Sequence, residues 1–456
     1  VSNLEKYLPN GCYLHARKSI FAHLPNHSFI HSLIHSLKPD AYAAFQVPDF
    51  RRFLTMRMTM TLATQIMSVS VGYFVYDLTN DPLMLGLIGL AEAIPAISTS
   101  LWAGHIADKY NRRNILIACI VILLLCSLAL LSLASMRDVL PKAVLLTGIY
   151  SVIFFTGIAR SFFSPTNFAF LPQLVDKKML PNAITWNSSS WEVASITGLG
   201  IGGILYGFSG VTATFSVMSG LCLLALIFVF QIKPRPVPPA DHSEPAKVRI
   251  REGLRFVFSN QLILSAIALD LFAVLFGGAV ALLPVFAKDI LKVGPEGLGV
   301  LRAAMSLGAI ATAFYIAHRP IGKGAGKLML ASVVGFGCCI IGFGLSKIFW
   351  LSFFFLFLAG VFDEVSVFVR SSLLQHLTPE HMKGRVSSVN FIFITSSNEI
   401  GAFESGLAAR LLGTVPGVIF GGTMTILIAA FTWWKAPKLR RLNFDELLEK
   451  EKPEKS

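Results

Sequence analysis

The carboxylates Glu92, Glu192, Asp270, Asp363, Glu364, Glu399 and Glu404 interrupt stretches that are otherwise apolar, and so do the arginines Arg57, Arg160, Arg302 and Arg370. Charge in a hydrocarbon environment is expensive. It is kept where it pairs, meets water or takes part in transport. A carboxyl group in low dielectric holds its proton more readily than one in water, so it can load a proton from one side of a membrane and release it to the other. The acids are therefore candidate proton or substrate groups, with Asp270, Glu399 and Glu92 foremost. Glu92 and Glu399 fall near the middle of their runs, and Asp270 roughly a third of the way in. The four arginines are candidate charge partners for them. Asp363 and Glu364 are adjacent, so on a helix they point about 100° apart and only one faces a given cavity. Gln65, with Arg57, Thr59, Thr61, Thr64 and Ser68, gives its run a polar face. Such a helix cannot face lipid all round and must turn that face into the protein or a wet cavity.

The elements that must position these groups are runs of apolar residues at about 54–76, 82–104, 114–136, 143–164, 186–207, 211–231, 261–286, 297–317, 327–346, 349–372, 386–409 and 415–435. Each has about the 20 residues that a helix needs to cross about 30 Å of hydrocarbon. Of the 456 residues 14% are charged and 54% hydrophobic, against about 25% charged in a soluble domain, and mean hydropathy is +0.65. The sequence thus specifies an all-α integral membrane protein of twelve transmembrane helices in two six-helix halves.

The net charge of +13 is a topological signal, and nucleic acid is not an expected partner. Connections after even-numbered runs hold sixteen Lys and Arg, the others six. Cytoplasmic loops collect such residues, so both termini and the even connections are expected in the cytoplasm. The longest connection opens with Lys-Pro-Arg-Pro-Val-Pro-Pro at 233–239, which cannot be regular helix. It divides the chain into an extension at 1–46, a first half at 47–232, a linker at 233–260, a second half at 261–436 and a soluble tail at 437–456. In the extension, His27, His31 and His35 would share a helix face, but no carboxylate or thiolate completes a ligand set and no metal is expected. Five of the six cysteines lie in apolar runs without a CxxC pair, which predicts buried thiols.

The halves echo each other. Leu171-Pro-Gln-Leu174, Met179 and Asn187 recur as Leu374-Gln-His-Leu377, Met382 and Asn390 at a constant offset of 203. Twelve spans, a long central connection and a repeat fit the two-halved transporter plan, with the cargo site at the midplane between the halves. Between the second and third runs stands Gly104-x-x-x-Asp108-Lys109-x-x-Arg112-Arg113. It resembles the signature loop of the major facilitator superfamily, G-x-x-x-D-(R/K)-x-G-(R/K)-(R/K), in the place where that superfamily has it. Asn111 replaces the second glycine; Asn also tolerates a left-handed backbone, so the turn is expected to survive. The resemblance implies a conformational latch made of Gly104, Asp108, Lys109, Arg112 and Arg113. Asp108 would accept hydrogen bonds near Arg385 to Ser388, where a helix N-terminus favours an anion, and Arg112 would hold Asp108. The equivalent stretch of the second half, His318 to Lys327, has no acid, so the latch is expected to be one-sided.

Further stretches resemble the enterobactin-exporter-like, or transmembrane secretion effector, branch of that superfamily. They are Val75-Tyr-Asp-Leu-Thr-Asn-Asp-Pro82, Gly157 to Pro165, Leu269 to Gly278, Arg370 to Gln375 with Lys383-Gly-Arg385-Val386, and Ser397 to Gly406. The resemblance covers about 47–436. One departure concerns the G-P-x-x-G-G element that exporters of the superfamily often carry in span five. Here it reads Gly198-Leu199-Gly200-Ile201-Gly202-Gly203, so close helix packing is expected and a proline kink is not.

The resemblance implies a secondary transporter that exports a small organic molecule, a siderophore or drug-like compound, across a bacterial cytoplasmic (inner) membrane by proton antiport. Its partners would be that cargo, protons and the bilayer, and the family expectation is a monomer. Neither cofactor nor enzymatic activity is expected, because no GxxxxGK(S/T), HExxH or GxSxG element occurs. Two alternatives stand beside this reading. One is an importer or symporter of a polar nutrient, since the superfamily contains both directions. The other is a receptor that no longer transports, against which the intramembrane acids argue.

Overall fold

The computed structural model describes residues 42–236, 246–319, 321–379 and 382–444, and among them it is helical with no strand. The histidine face of the extension, Cys12, and linker residues 237–245 lie outside the described residues. The long helices are α1 Pro48–Thr79, α2 Pro82–Lys109, α3 Arg112–Ser135, α4 Lys142–Leu174, α5 Leu180–Gln231, α6 Ala246–Ser259, α7 Gln261–Phe276, α8 Gly294–His318, α9 Ala325–Leu345, α10 Phe349–Leu377, α11 Lys383–Leu412 and α12 Thr414–Lys435. Ten helices among the described residues are long and apolar enough to cross a membrane. One of them, α5, has 52 residues and would run about 78 Å if straight. Gly210, at φ 77° and ψ 174°, breaks it, a backbone position that only glycine adopts without strain. The two legs turn back on each other: Tyr206 and Phe215 pack on Tyr73 and Phe74 at one end of α1, while Arg52 near its other end donates to the Gln231 carbonyl at 3.0 Å. The twelfth crossing, α11, is 30 residues long but falls short of the ten in hydropathy, because Asn390, Ser396, Ser397, Asn398 and Glu399 interrupt it.

Local chemistry sets the boundaries. Asp81 caps α2 by accepting from the Leu83 amide at 3.0 Å, with Pro82 at the first helical position. Asn260 caps α7 through the amides of Leu262 and Ile263. Two expected boundaries move. Span seven is not one helix: α7 ends at Gly277-Gly278 and continues as a 3-10 turn Ala279–Leu282, a single turn Leu283–Val285 and a π turn Phe286–Ile290. The reason is close passage of another backbone, since a Cβ on Gly278 would sit 3.0 Å from the Gly401 carbonyl of α11. The chain is also docked beyond the expected limits of the halves. Phe45, in the turn Ala43–Gln46, packs edge-on against Trp186 at 4.9 Å, and Leu439, Leu442 and Phe444 of the tail are buried. Four of the cysteines are buried as expected, but Cys338 is exposed.

Each half is a six-helix bundle. In the first, α1 packs along α5, α2 along α4, and α3 against both α4 and α5. In the second, α8 packs on α10, α9 on α10 and α12, and α7 on α11 and α12. The halves meet along two seams, α2 with α11 and α5 with α8. Lipid tails give helices no hydrophobic drive to associate, so close packing of small residues does that work. On the first seam a Cβ on Gly89 would lie 2.7 Å from the Glu399 carbonyl, and one on Gly406 2.9 Å from Gly86. On the second, one on Gly299 would lie 2.9 Å from the Leu199 carbonyl. Leu199 thus sits in the first leg of α5, ahead of the break at Gly210, and the surrounding glycines supply the expected close approach.

Candidate translocation site

Between the halves lies a central cavity with two connected lobes. The lobe nearer the face where α1 begins and α12 ends, the terminal face, has a volume of about 650 Å³ and is lined among others by Arg57, Asn187, Trp191 and Phe391. The lobe toward the opposite, far face has about 420 Å³ and is lined by Ser68, Asp270, Arg302, Phe336, Asp363 and Arg370. Gln65, Glu92, Arg160, Asn398 and Glu399 line both and mark the junction. The break in span seven borders the far lobe through Gly277, Gly278, Val280 and Ala281. Irregular backbone at membrane depth is tolerated where it lines a cavity. The polar side of α1 faces inward as expected, with Thr64, Gln65 and Ser68 on the cavity and 72% of the helix's apolar window buried.

The charges fall into three arrangements. Arg160 of α4 is ion-paired with Glu92 of α2 and also lies within electrostatic reach of Glu399 on α11, so it faces a carboxylate in each half. Arg370 of α10 and Asp270 of α7 form a second pair, Nε to Oδ2 3.3 Å, in the wall of the far lobe. Ser366 donates to Asp270 at 3.1 Å, and Arg370 Nη1 donates to Asn390 Oδ1 at 2.7 Å. The Arg370 Nε–H is not aligned on the carboxylate, so this contact is an ion pair and not a hydrogen bond. Arg57 and Arg302, expected as charge partners, have none among the described residues. Arg57 donates to Asn187 Oδ1, and Arg302 to Ser68 Oγ at 2.7 Å.

The cavity gathers Glu92, Asp270, Asp363, Glu399, Gln65 and all four arginines, and leaves Glu192, Glu364 and Glu404 outside its lining. Asp363 faces it and its neighbour Glu364 does not, as their angular separation requires. Glu192 is exposed and lies within electrostatic range of Glu364. The repeat concealed a role: Asn187 and Asn390, equivalent in the two halves, each accept from a cavity arginine. Their shared offset was the available signal.

Close contacts between the halves gather at the far face. Lys288 Nζ meets Asp77 Oδ1 at 2.8 Å and Asn80 Oδ1 at 3.0 Å, Arg410 meets Asp81 at 3.1 Å, and Tyr76 donates to Asp289. Every one of these contacts joins the two halves. With the glycines of both seams near the same end, they close the far face, and the cavity faces the terminal face. Sequence reasoning did not assign these residues. The stretch Val75 to Pro82 carries four of the seven.

At the terminal face the side chains of Gly104, Asp108 and Ser388 lie outside the described residues, and with them the expected contact of Asp108. The remaining loop residues bind their own half. Arg112 donates to the carbonyls of Ala107 and Ala169 at 3.2 and 3.0 Å. Arg113 donates to those of Val229 and Phe230 at 3.2 and 2.8 Å, and Lys109 is exposed. Asn111 does not use a left-handed backbone. It sits at φ −62°, ψ 116° and caps α3 by accepting from the Arg113 amide at 3.0 Å. Arg385 is ion-paired with Glu252 of α6, so the linker helix rests on the start of α11.

Two six-helix halves around a central, charge-bearing cavity define a multi-pass membrane transporter of the major facilitator type. The chain belongs to the transmembrane secretion effector family, whose model matches residues 40–454. It is 24% identical over 397 residues to the enterobactin exporter EntS of Citrobacter koseri, covering 86% of this chain and 93% of that one. It is 25% identical, over the same shares, to the enterobactin exporter EntS of Shigella boydii serotype 4. Among solved structures, a bacterial homologue of the human lysosomal transporter Spinster, inward-facing and occupied, superposes with a TM-score of 0.69 at 11% identity, covering 89% of this chain and 99% of that chain. A D-xylose–proton symporter does so with a TM-score of 0.63 at 14% identity, covering 87% and 98%.

Proposed function

We propose that the chain exports a small organic molecule, of the siderophore or drug-like kind, across the bacterial inner membrane in exchange for protons. The observation that carries this reading is the junction of the two lobes, where Arg160, ion-paired with Glu92 of its own half, lines the same cavity as Glu399 of the other. A proton taken by Glu399 weakens its attraction to Arg160 across the junction, so protonation there is coupled to how tightly the halves engage. Arg370 with Asp270, and Asp363 beside them, form a second group within the far lobe. With both termini in the cytoplasm, the terminal face is the inner one and the structure is inward-facing. Cargo enters the terminal lobe past Trp191 and Phe391, reaches the junction, and leaves when the far-face ion pairs part. Asp108, Arg112 and Arg113 then close the inner side as a latch that governs exchange rate and not cargo choice. The test is reconstitution into vesicles and measurement of cargo movement with and without an imposed pH gradient. Acceleration by the gradient is the expected result, and flux indifferent to it would remove the proton from the mechanism.

A further inference from the structure

We propose that Arg302 and Ser68 form an anion-binding subsite in the far lobe, and that the cargo is an organic anion whose carboxylate or equivalent group docks there. This rests on the reading of the chain as a small-molecule exporter and names the class of cargo.

Four arginines line the cavity, and two of them are neutralised: Arg160 by Glu92 and Arg370 by Asp270. Arg302 is not. Its one partner among the described residues is the uncharged Ser68 hydroxyl, at 2.7 Å. Its Nε is sealed from solvent with no acceptor among the described residues. A guanidinium offers five N–H donors, and a half-buried cation without a paired counter-charge is costly to keep. An anionic group supplied by the cargo meets both needs. It can take the terminal N–H groups together in the two-pronged geometry that arginine favours for carboxylates, and the Ser68 hydroxyl still has its own proton to donate. Beside the other charged groups of this lobe, Val71, Met305 and Phe336 add apolar wall that suits an organic body. Its volume of about 420 Å³ falls in the range of small-molecule sites, about 300–1,000 Å³.

The placement also fits movement through the protein. Ser68 belongs to the first half and Arg302 to the second, one turn from Gly299 on the α5–α8 seam. Cargo that replaces Ser68 on Arg302 therefore breaks a hydrogen bond between the halves. Arg57, likewise without a carboxylate, stands in the terminal lobe. An anion arriving from that side meets Arg57 first, passes the neutralised Arg160 pair, and finds Arg302 beyond it.

The test uses the full chain in lipid nanodiscs and two probes of the same shape. Salicylate is ionised at neutral pH, and salicylamide is uncharged. Calorimetric titration is expected to show salicylate binding about tenfold more tightly than salicylamide, the size of one charge-assisted contact. Arg302→Gln should collapse that ratio to near one. Arg302→Lys should keep most of it, and Arg137→Gln, at an exposed position away from the cavity, should keep all of it. A ratio cancels general damage to the fold. Equal affinities in the parent protein, a ratio unmoved by Arg302→Gln, or no saturable salicylate binding would each overturn the subsite. Failure of the proton-coupled reading of export shows separately, as flux indifferent to a pH gradient. A parent protein that moves uncharged cargo against such a gradient but has no anion preference would lose the subsite and keep the function.

Discussion

Arg370 and Asp270 are sealed together in the wall of the cavity, 3.3 Å apart, with side-chain exposures of 3% and 8%. Two charges so placed depend on each other. Removing one partner of a buried pair leaves the other uncompensated, at about 3–5 kcal/mol. Asp270→Asn or Arg370→Gln alone is therefore expected to lower the thermal unfolding midpoint strongly. The double variant should recover more than half of the loss, because the polar partners Ser366 and Asn390 can serve neutral side chains. A double variant no more stable than the worse single one would show that the pair is not a unit.

Asn111 stands where the superfamily's loop has glycine, and the structure uses it as a helix cap for α3. The ranking of replacements follows from that role. Asn111→Ala should lower stability by about 1 kcal/mol, while Asn111→Gly should lower it by only a few tenths. A left-handed turn would give a different signature, with Gly at least as stable as Asn. Thermal unfolding of the three proteins in one detergent separates the two.

Most of the bundle was legible in the sequence because hydropathy and loop charge are local properties. Twelve runs predicted twelve crossings, and the polar face of α1 predicted its burial toward the cavity. What was not legible depended on contact with another helix. Gly277-Gly278 looks like any pair of glycines in an apolar run, until Gly401 passes 3.0 Å from where a Cβ of Gly278 would stand. The acids were all visible as intramembrane charge. Their sorting was not: Glu92 and Glu399 face the cavity while Glu192 is exposed, because helix rotation is set by packing. The same holds for the arginines, whose sequence neighbourhoods do not distinguish the paired Arg370 from the unpaired Arg302.

Lys288 holds the far face by contacts to Asp77 and Asn80. Its side chain is 27% exposed and that of Asp77 37%, so the pair is partly screened and worth about 0.2–1 kcal/mol. Lys288→Ala alone should shift the balance toward a far-open state by no more than about fivefold. Adding Arg410→Ala and Asp289→Asn should move it well past tenfold, since the three contacts share one transition. Labelling of Ser68→Cys by a membrane-impermeant maleimide added outside, in a Cys338→Ser background, reads the shift. Labelling that stays at the parent level in the triple variant would mean that the glycine seams alone keep this face shut.

Glu399 is the carboxylate of the second half that faces Arg160, while Glu92 of the first half is already paired with it. If proton loading at this junction couples to movement of the halves, fixing one acid in a neutral form should uncouple net flux from the pH gradient while hurting exchange less. Glu399→Gln is therefore expected to bring pH-driven cargo flux in vesicles to the level of empty vesicles, and to spare cargo-for-cargo exchange far more. Glu404→Gln makes the fitting comparison, because Glu404 lies on the same helix but outside the cavity lining, and its pH-driven flux should stay near that of the parent. The two results together place the coupling proton at the junction. If Glu399→Gln lost exchange and pH-driven flux to the same degree, Glu399 would be a cargo contact or a structural partner of Arg160, and the coupling proton would belong to the Asp270–Asp363 group in the far lobe.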